Sequence, residues 1–195
     1  MKKAAAVFLD RDGVINEEVG YLDTLEKLKI IPCAFEAVRL INASGMKAVV
    51  ISNQSGVARG LFTEKFVRLT HDRLQAMLRE QSVSLDCFYF CPHHPTEGAP
   101  PYRRICDCRK PAPGMFLQAA KDLNIDLDLS YMVGDRLLDM EAAQTVGVKG
   151  VLVKTGHRRD LLQDDGSGRP MEENKPDFIA TDILEAVQWI LQDRK

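Results

Sequence analysis

The feature that most restricts the fold of this chain is a short apolar run that ends in two carboxylates. Residues 4–9 are continuously apolar, the pattern of a strand buried on both faces of a parallel sheet. Asp10 and Asp12 follow directly, and Gly13 comes after them. In open α/β sheets, ligands lie just beyond the carboxyl ends of the strands. Two acids at that position can hold a hard cation, and one can attack a phosphorus atom while the other transfers protons.

Short apolar runs and amphipathic stretches alternate along the rest of the chain. The pattern predicts strands at 4–9, 47–51, 87–90, 131–133 and 151–153, an edge strand at 178–179, and helices at 34–43, 63–81, 113–123, 140–146 and 183–191. This alternation of strands and helices is typical of an α/β, doubly wound parallel sheet. Residues 156–176 are polar and without periodicity, so we expect a surface loop there.

Length and charge exclude several classes of protein. With 195 residues and 45% hydrophobic content, the chain suits one domain, which we expect to span residues 1–195. The 26 basic and 28 acidic residues give a net charge of −2, which argues against binding to nucleic acid or to an anionic membrane. No apolar run approaches the roughly 20 residues of a membrane span. Asp10 also interrupts the first apolar run before a signal-peptide core could form. We therefore expect a cytoplasmic protein.

Three further residues stand near predicted strand ends or loops and suit a phosphoryl group. Ser52 follows the second strand and can donate its hydroxyl to a phosphate oxygen. Lys110 supplies a cation, and Asp135, after the fourth strand, can complete a cation site with Asp10. Each alone has an ordinary explanation as a turn former, a surface charge or a helix cap. Together they indicate phosphoryl transfer, which needs mainly positioning and charge neutralisation.

A cysteine-rich segment, residues 91–108, predicts a metal site and is called the cysteine loop below. Cys91 and His93 form one close pair, and Cys106 and Cys108 form another after a gap of twelve residues. Mixed Cys₃His sets hold structural zinc tetrahedrally, and clustered cysteines suit metal binding in a reducing compartment better than disulfides. His94 is the alternative ligand, but the spacing from Cys91 favours His93. Four protein ligands leave no place for substrate, so we expect a structural zinc.

The motif Phe-Leu-Asp-Arg-Asp-Gly at residues 8–13 resembles the first motif of the haloacid-dehalogenase-like (HAD) phosphohydrolases. Ser52, Lys110 and Asp135 stand in the order and approximate spacing of the other three motifs, so the resemblance covers nearly the whole chain. It implies a Rossmann-like sheet of the HAD type. The segments 13–50 and 53–109 are too short for a large cap domain.

The resemblance to the HAD phosphohydrolases also implies roles for the site residues. Asp10 would be the nucleophile that forms an aspartyl-phosphate, and Asp12 the general acid/base. Ser52 and Lys110 would stabilise the phosphoryl group. The carboxylates of Asp10 and Asp135 and the backbone carbonyl of Asp12 would hold a catalytic Mg²⁺. Asp139 would orient Lys110 or a metal-bound water.

Within that class, the chain is most similar to the D-glycero-D-manno-heptose 1,7-bisphosphate 7-phosphatases. The specific parts are Ser-Gly-Val-Ala-Arg-Gly at residues 55–60 and the cysteine loop, with further likeness at residues 10–16 and 106–111. Ser52 stands where many relatives have Thr and keeps the hydroxyl. The resemblance implies a small sugar bisphosphate substrate in nucleotide-activated heptose synthesis for lipopolysaccharide core or surface glycans.

A bisphosphate needs a second anion contact away from the reacting phosphorus. Arg109 is the first candidate, because guanidinium groups bind phosphate bidentately, and Arg136 is another. The ordinary alternative for Arg109 is a contact that braces the cysteine loop. The residues predicted to contact substrate are Glu18, Val19, Gly20, Tyr21, Ser52, Asn53, Gln54, Ser55, Arg59, Arg109, Lys110 and Arg136.

Three other functions compete with this reading. A histidinol-phosphate phosphatase would share the fold without a cap domain and would have a similar cysteine loop. Its substrate is cationic, however, and needs an acidic pocket in place of Arg109. A polynucleotide 3′-phosphatase is disfavoured by the near-neutral charge. A non-catalytic zinc-stabilised module would need neither Asp10 nor Lys110. Nothing in the sequence marks a dimer face, so we expect a monomer.

Overall fold

The structure is a computed structural model, and it describes residues 3–156 and 175–194. It contains one sheet of six strands, all parallel. The strands are β1 (Ala6–Leu9), β2 (Lys47–Asn53), β3 (Cys87–Cys91), β4 (Tyr131–Gly134), β5 (Lys149–Val153) and β6 (Phe178–Ala180). Their spatial order is β3-β2-β1-β4-β5-β6, which confirms the predicted doubly wound α/β class.

Helices cover both faces of the sheet. They are α1 (Pro32–Ala43), α2 (Glu64–Glu80), α3 (Gly114–Leu123), α4 (Leu137–Gln144) and α5 (Ile183–Asp193), with 3₁₀ turns at Leu25–Lys27 and Leu127–Leu129. In the described parts of the chain, no helix has both the length and the apolar character that crossing a bilayer requires.

The central strand β1 divides the core into two layers. Val7 and Leu9 pack on the face covered by α1, α2 and α5, whereas Ala6 and Phe8 pack on the face covered by α3 and α4. This alternation follows from the two-residue period of a strand. Because β2 and β4 flank β1 on opposite sides, the strand order reverses at β1. The crevice beyond its carboxyl end is therefore the expected ligand site.

Helix α4 and strand β5 begin earlier than the sequence predicts. Helix α4 begins at Leu137, earlier than the predicted residue 140, because the side chain of Asp139 accepts a 3.2 Å hydrogen bond from the backbone N–H of Arg136 and caps the helix. Strand β5 begins at Lys149 because that residue pairs with Tyr131 of β4. The predicted loop at 156–176 lies mostly outside the described residues.

The segment between β1 and α1 does not form a regular hairpin. Apart from the 3₁₀ turn at Leu25–Lys27, it has only isolated bridges. The backbone N–H of Glu17 donates to the carbonyl of Lys29, and that of Ile31 donates to Ile15, both at 2.9 Å. These two bonds hold the segment beside the carboxyl end of β1 as an irregular loop.

Candidate active site

The predicted catalytic residues converge on one cleft beyond the carboxyl ends of β1, β2 and β4. Asp10 directly follows β1, Ser52 lies near the end of β2, and Asp135 directly follows β4. Lys110 reaches the cleft from the segment before α3. The side chains of Asp10, Ser52, Lys110 and Asp135 are buried, and all four residues line the cleft together with Asp12. Parallel strands end at the same edge of a sheet, which explains why residues so distant in sequence meet.

Three carboxylates at this end of the sheet form a group that fits a hard cation. Oxygens of Asp10, Asp135 and Asp139 lie within 4.8 Å of one another. Oxygen donors of this kind are the ligands that Mg²⁺ prefers. Two glycines shape the surroundings of Asp135, because a Cβ at Gly13 would lie 2.5 Å from its Oδ2, and one at Gly156 would lie 1.9 Å away. Only glycine backbone can approach this carboxylate so closely.

Lys110 links two of these carboxylates. Its Nζ lies 3.1 Å from Asp10 Oδ1 and 2.7 Å from Asp139 Oδ1, and it donates to the carbonyl of Ile51 at 2.9 Å. Burial alone would lower the pKa of Lys110, but the two carboxylates outweigh burial and hold its pKa above the usual value. The ammonium therefore stays charged beside Asp10, where it can neutralise a phosphoryl group.

Asp12 is held by three neighbouring side chains. Arg11 Nη2 lies 2.8 Å from its Oδ2, Asn16 Nδ2 donates to Oδ1 at 2.9 Å, and Gln54 Nε2 donates to Oδ2 at 2.9 Å. Burial would raise the pKa of this carboxyl, but the Arg11 charge and the hydrogen bonds together hold the pKa below its usual range. Asp12 is therefore a carboxylate with a fixed orientation, ready to accept a proton.

Arg11 and Asn16 are two site residues that the sequence reasoning missed. Arg11 is only 2% exposed, and Asn16 is completely buried. The signal for Arg11 was available, because it lies between two acids at the end of a buried strand and needs an anionic partner. Asn16 lies in an irregular loop, where no periodic pattern indicates the direction of a side chain.

Asn53 fixes the backbone of Lys110. Its Nδ2 donates to the carbonyl of Lys110, and its Oδ1 accepts from the backbone N–H of Lys110, both at 3.0 Å. This reciprocal pair ties the end of β2 to the segment that follows the cysteine loop.

Arg109 lines the cleft as well, and its Nη1 donates to the carbonyl of His93 at 3.2 Å. Arg109 thus lines the cleft, and its guanidinium braces the cysteine loop.

Most of the residues predicted to contact substrate line this cleft, whereas two do not. The cleft is lined by Glu18, Gly20, Tyr21, Ser52, Asn53, Gln54, Ser55, Arg109, Lys110 and Arg136. Val19 is outside this set. The guanidinium of Arg59 instead lies 3.4 Å from His94 Nε2 and 3.6 Å from Glu97 Oε2, on the cysteine loop. Sequence reasoning did not include the apolar walls, which Leu22, Phe62 and Leu138 provide.

The four predicted zinc ligands lie together. Cys91 Sγ is 3.6 Å from both His93 Nδ1 and Cys106 Sγ, and Cys108 Sγ is 3.1 Å from Cys91 Sγ and 3.3 Å from His93 Nδ1. A tetrahedron with metal–sulfur bonds of about 2.3 Å has edges of roughly 3.7 Å, so the donor set fits zinc with a slight expansion. His94 is not part of the group, because its Nδ1 accepts from the backbone N–H of Glu97 at 2.9 Å.

Comparisons with known proteins indicate the family of this chain. The sequence model of the HAD-hydrolase-like family matches residues 107–186. A D-glycero-beta-D-manno-heptose-1,7-bisphosphate 7-phosphatase of Escherichia coli O6:H1 is 41% identical over 100% of this chain and 98% of its own length. A D-glycero-D-manno-heptose-1,7-bisphosphate 7-phosphatase of Chlorobaculum tepidum is 38% identical, over 96% of this chain and 94% of its own.

Solved structures show the same fold. The crystal structure of D,D-heptose 1,7-bisphosphate phosphatase from B. bronchiseptica, complexed with magnesium and phosphate, superposes with a TM-score of 0.81 at 31% identity. The match covers 97% of this chain and 99% of that one. The full-length sequence similarity and the shared fold together show that the chain belongs to the heptose-bisphosphate phosphatases, a family of phosphoric monoester hydrolases within the HAD-like hydrolases.

Proposed function

We propose that this protein is a Mg²⁺-dependent phosphatase that removes the 7-phosphate of D-glycero-D-manno-heptose 1,7-bisphosphate. The observation that carries the proposal is the convergence of Asp10, Ser52, Lys110 and Asp135 in one cleft. The two relatives named above, which match nearly the whole chain, support this substrate.

The side chains suggest a two-step reaction. In the first step, an oxygen of Asp10 attacks phosphorus and forms an aspartyl-phosphate. Asp12 takes up a proton when the bound substrate brings further negative charge beside its carboxylate, and it gives that proton to the departing sugar oxygen. In the second step, Asp12 takes a proton from the water that attacks the same phosphorus. Inorganic phosphate is then released, and the carboxylate of Asp10 is regenerated. Lys110 and the Ser52 hydroxyl neutralise the phosphoryl oxygens in both steps.

Magnesium would be held by the carboxylates of Asp10 and Asp135 and by the backbone carbonyl of Asp12. Carboxylate oxygens of Asp10 and Asp135 lie within 4.8 Å of each other, and such oxygen donors fit this ion. When bound, Mg²⁺ supplies positive charge opposite the phosphoryl oxygens. Asp139, which contacts Lys110, would orient that lysine rather than bind the ion.

Zinc would be held by Cys91, His93, Cys106 and Cys108, and its role would be structural. The four donors fill a tetrahedral sphere and leave no position for a water or a substrate. A cluster of free thiols persists in a reducing compartment, which supports a cytoplasmic enzyme that supplies nucleotide-activated heptose synthesis.

Arg109 and Arg136 would bind the phosphate that is not cleaved. Both line the cleft, and a second phosphate dianion needs cationic partners. We propose that residues 18–21 contact the sugar hydroxyls. The same two cations disfavour histidinol phosphate, whose amine is positive.

One assay separates the candidate substrates. Phosphate release is measured from heptose 1,7-bisphosphate, histidinol phosphate and a 3′-phosphorylated oligonucleotide, each with and without Mg²⁺. We expect rapid, Mg²⁺-dependent release from the heptose compound alone, with heptose 1-phosphate as the product. Faster release from either of the other two would refute the proposed substrate.

A second assay examines Arg109. The variant Arg109→Ala should lose more kcat/KM on heptose 1,7-bisphosphate than on heptose 7-phosphate, because only the first carries the distal phosphate. Equal losses on both compounds would assign Arg109 to bracing of the cysteine loop instead.

A further inference from the structure

The side chain of Gln54 lies between two groups of the proposed reaction. Gln54 follows β2 directly and is 4% exposed. Its Nε2 donates to Asp12 Oδ2 and to Ser52 Oγ, both at 2.9 Å, and its Oε1 accepts from Arg11 Nη2 at 3.1 Å. A side-chain amide has two N–H donors, so both donors of Gln54 are used within the protein.

The bond from Gln54 determines how Ser52 can act. A serine hydroxyl has one hydrogen to donate and lone pairs with which to accept. Because Ser52 Oγ already accepts from Gln54, its own hydrogen remains for another acceptor. The buried hydroxyl lines the cleft, where the proposed phosphoryl group would present such an oxygen.

The bonds to Asp12 determine the orientation of the acid/base. Oδ2 of Asp12 accepts hydrogen bonds from Gln54 Nε2 and from Arg11 Nη2. Arg11 Nη2 also donates to Oδ1 of Asp12 at 3.0 Å. Arg11 Nη2 in turn donates a hydrogen bond to Oε1 of Gln54, and this bond prevents the side-chain amide from flipping. The carboxylate, the guanidinium and the amide therefore form a closed ring of contacts.

We propose that Gln54 is a positioning residue that orients the acid/base Asp12 and the phosphoryl-binding Ser52 together, and that its amide does not serve as a substrate ligand. This inference rests on the proposed function for the roles of Asp12 and Ser52. It replaces the direct substrate contact that the sequence alone predicted for Gln54.

Two variants test the role. Gln54→Met keeps the length of the side chain and removes all three hydrogen bonds, and Gln54→Glu keeps the shape and the acceptor but loses both donors. Gln118→Met is the matched control, because Gln118 is an exposed glutamine on α3 that bonds only to Asp122 among the described residues. Circular dichroism establishes that each variant is folded.

The measurement is kcat and KM, with Mg²⁺, on heptose 1,7-bisphosphate and on p-nitrophenyl phosphate. Both substrates need Ser52 for the phosphoryl group and Asp12 for hydrolysis of the aspartyl-phosphate. We expect both Gln54 variants to lose about 100-fold in kcat on both substrates, with KM changed by less than about threefold. Gln118→Met should match the wild type.

A substrate ligand would behave differently. Loss of a ground-state contact raises KM and leaves kcat unchanged, and a contact to the sugar would spare p-nitrophenyl phosphate altogether. Either pattern in a Gln54 variant would overturn the inference. If the wild type hydrolyses only p-nitrophenyl phosphate, the proposed sugar substrate fails, and the kcat comparison on the aryl phosphate still decides the role of Gln54.

Discussion

Arg11 illustrates how single residues keep charge in the interior of this protein. Its side chain is 2% exposed, and its guanidinium contacts Asp12 and Gln54. An unpaired buried ion costs several kcal/mol, so this pairing has to persist in the folded state. The arrangement keeps Asp12 ionised in the free protein and fixes the carboxylate that we propose as the acid/base.

His71 is a second buried titratable residue, and it makes stability depend on pH. Its ring stacks on Phe88 with centroids 4.7 Å apart, and its Nε2 has no hydrogen-bond partner within the described part of the chain. Burial, reinforced by the Arg11 charge, lowers the pKa of His71 to about 3. Because the unfolded residue titrates near 6.5, acid favours the unfolded chain below that pH, by on the order of 3 kcal/mol at pH 4.

The variant His71→Phe keeps the aromatic packing and removes the titration. We expect its free energy of unfolding, measured by urea denaturation, to fall less than that of the wild type between pH 7 and pH 4. Other groups titrate equally in both proteins and cancel in the difference. An equal decrease in the free energy of unfolding of the two proteins would contradict this account. It would show that His71 binds its proton as readily in the folded protein as in the unfolded chain.

The cysteine loop is an element whose order does not come from an apolar core. Most of its residues between His94 and Arg104 are exposed, and Ile105 is 89% exposed. The loop nevertheless leads directly into Arg109 and Lys110, which contact the substrate phosphates in the proposed function. A zinc ion on the Cys₃His set would supply the stabilisation that burial does not.

The variant Cys106→Ser tests this role of the loop. We expect the purified wild type to contain one zinc per chain and the variant to lose it. We also expect kcat to fall at least about tenfold because Lys110 loses its support. Metal analysis and phosphate release measure the two effects. Cys33→Ser, a half-buried cysteine outside the cluster, is the control. A wild type without stoichiometric zinc would refute the assignment.

The elements differ in how far the sequence could predict them. Each predicted strand lies within two residues of an observed one, because a continuous apolar run has few alternatives to burial in a parallel sheet. The irregular loop between β1 and α1 could not be predicted, since isolated bridges leave no period-two pattern. The reciprocal bonds between Asn53 and Lys110 join distant segments through amide geometry, which no local pattern encodes.

At the scale of the whole molecule, one continuous sheet joins both helical layers. Phe8 on the central strand is fully buried and meets Phe116 of α3 at a centroid distance of 4.8 Å. We propose that the chain unfolds as a single domain. Phe8→Ala should then lower the free energy of unfolding by about 3–5 kcal/mol and keep one cooperative transition.

Chemical denaturation followed by fluorescence and by circular dichroism measures this effect. Leu117→Ala, at a half-exposed position of the same helix α3, is the control and should change stability by less than about 1 kcal/mol. Two separate transitions would contradict the single domain, and a small loss at Phe8 would contradict its place in the core.

The meeting of distant residues at one edge of the sheet could be predicted, because parallel strands of a doubly wound fold end together. Asp10, Ser52 and Asp135 follow that rule. The position of Arg59 could not be predicted, because its direction is set by contacts with His94 and Glu97 in a loop without periodicity. The positioning role that we propose for Gln54 could not be predicted either, since a buried amide and a substrate-binding amide look identical in a sequence.

The central claim is that Asp10 receives the phosphoryl group. The most direct measurement is the rate of phosphate release from heptose 1,7-bisphosphate by Asp10→Asn, compared with the wild type at saturating Mg²⁺. We predict a loss of at least about a thousandfold, with an unchanged circular dichroism spectrum, because an amide oxygen is a poor nucleophile. A folded variant with activity close to that of the wild type would contradict the claim.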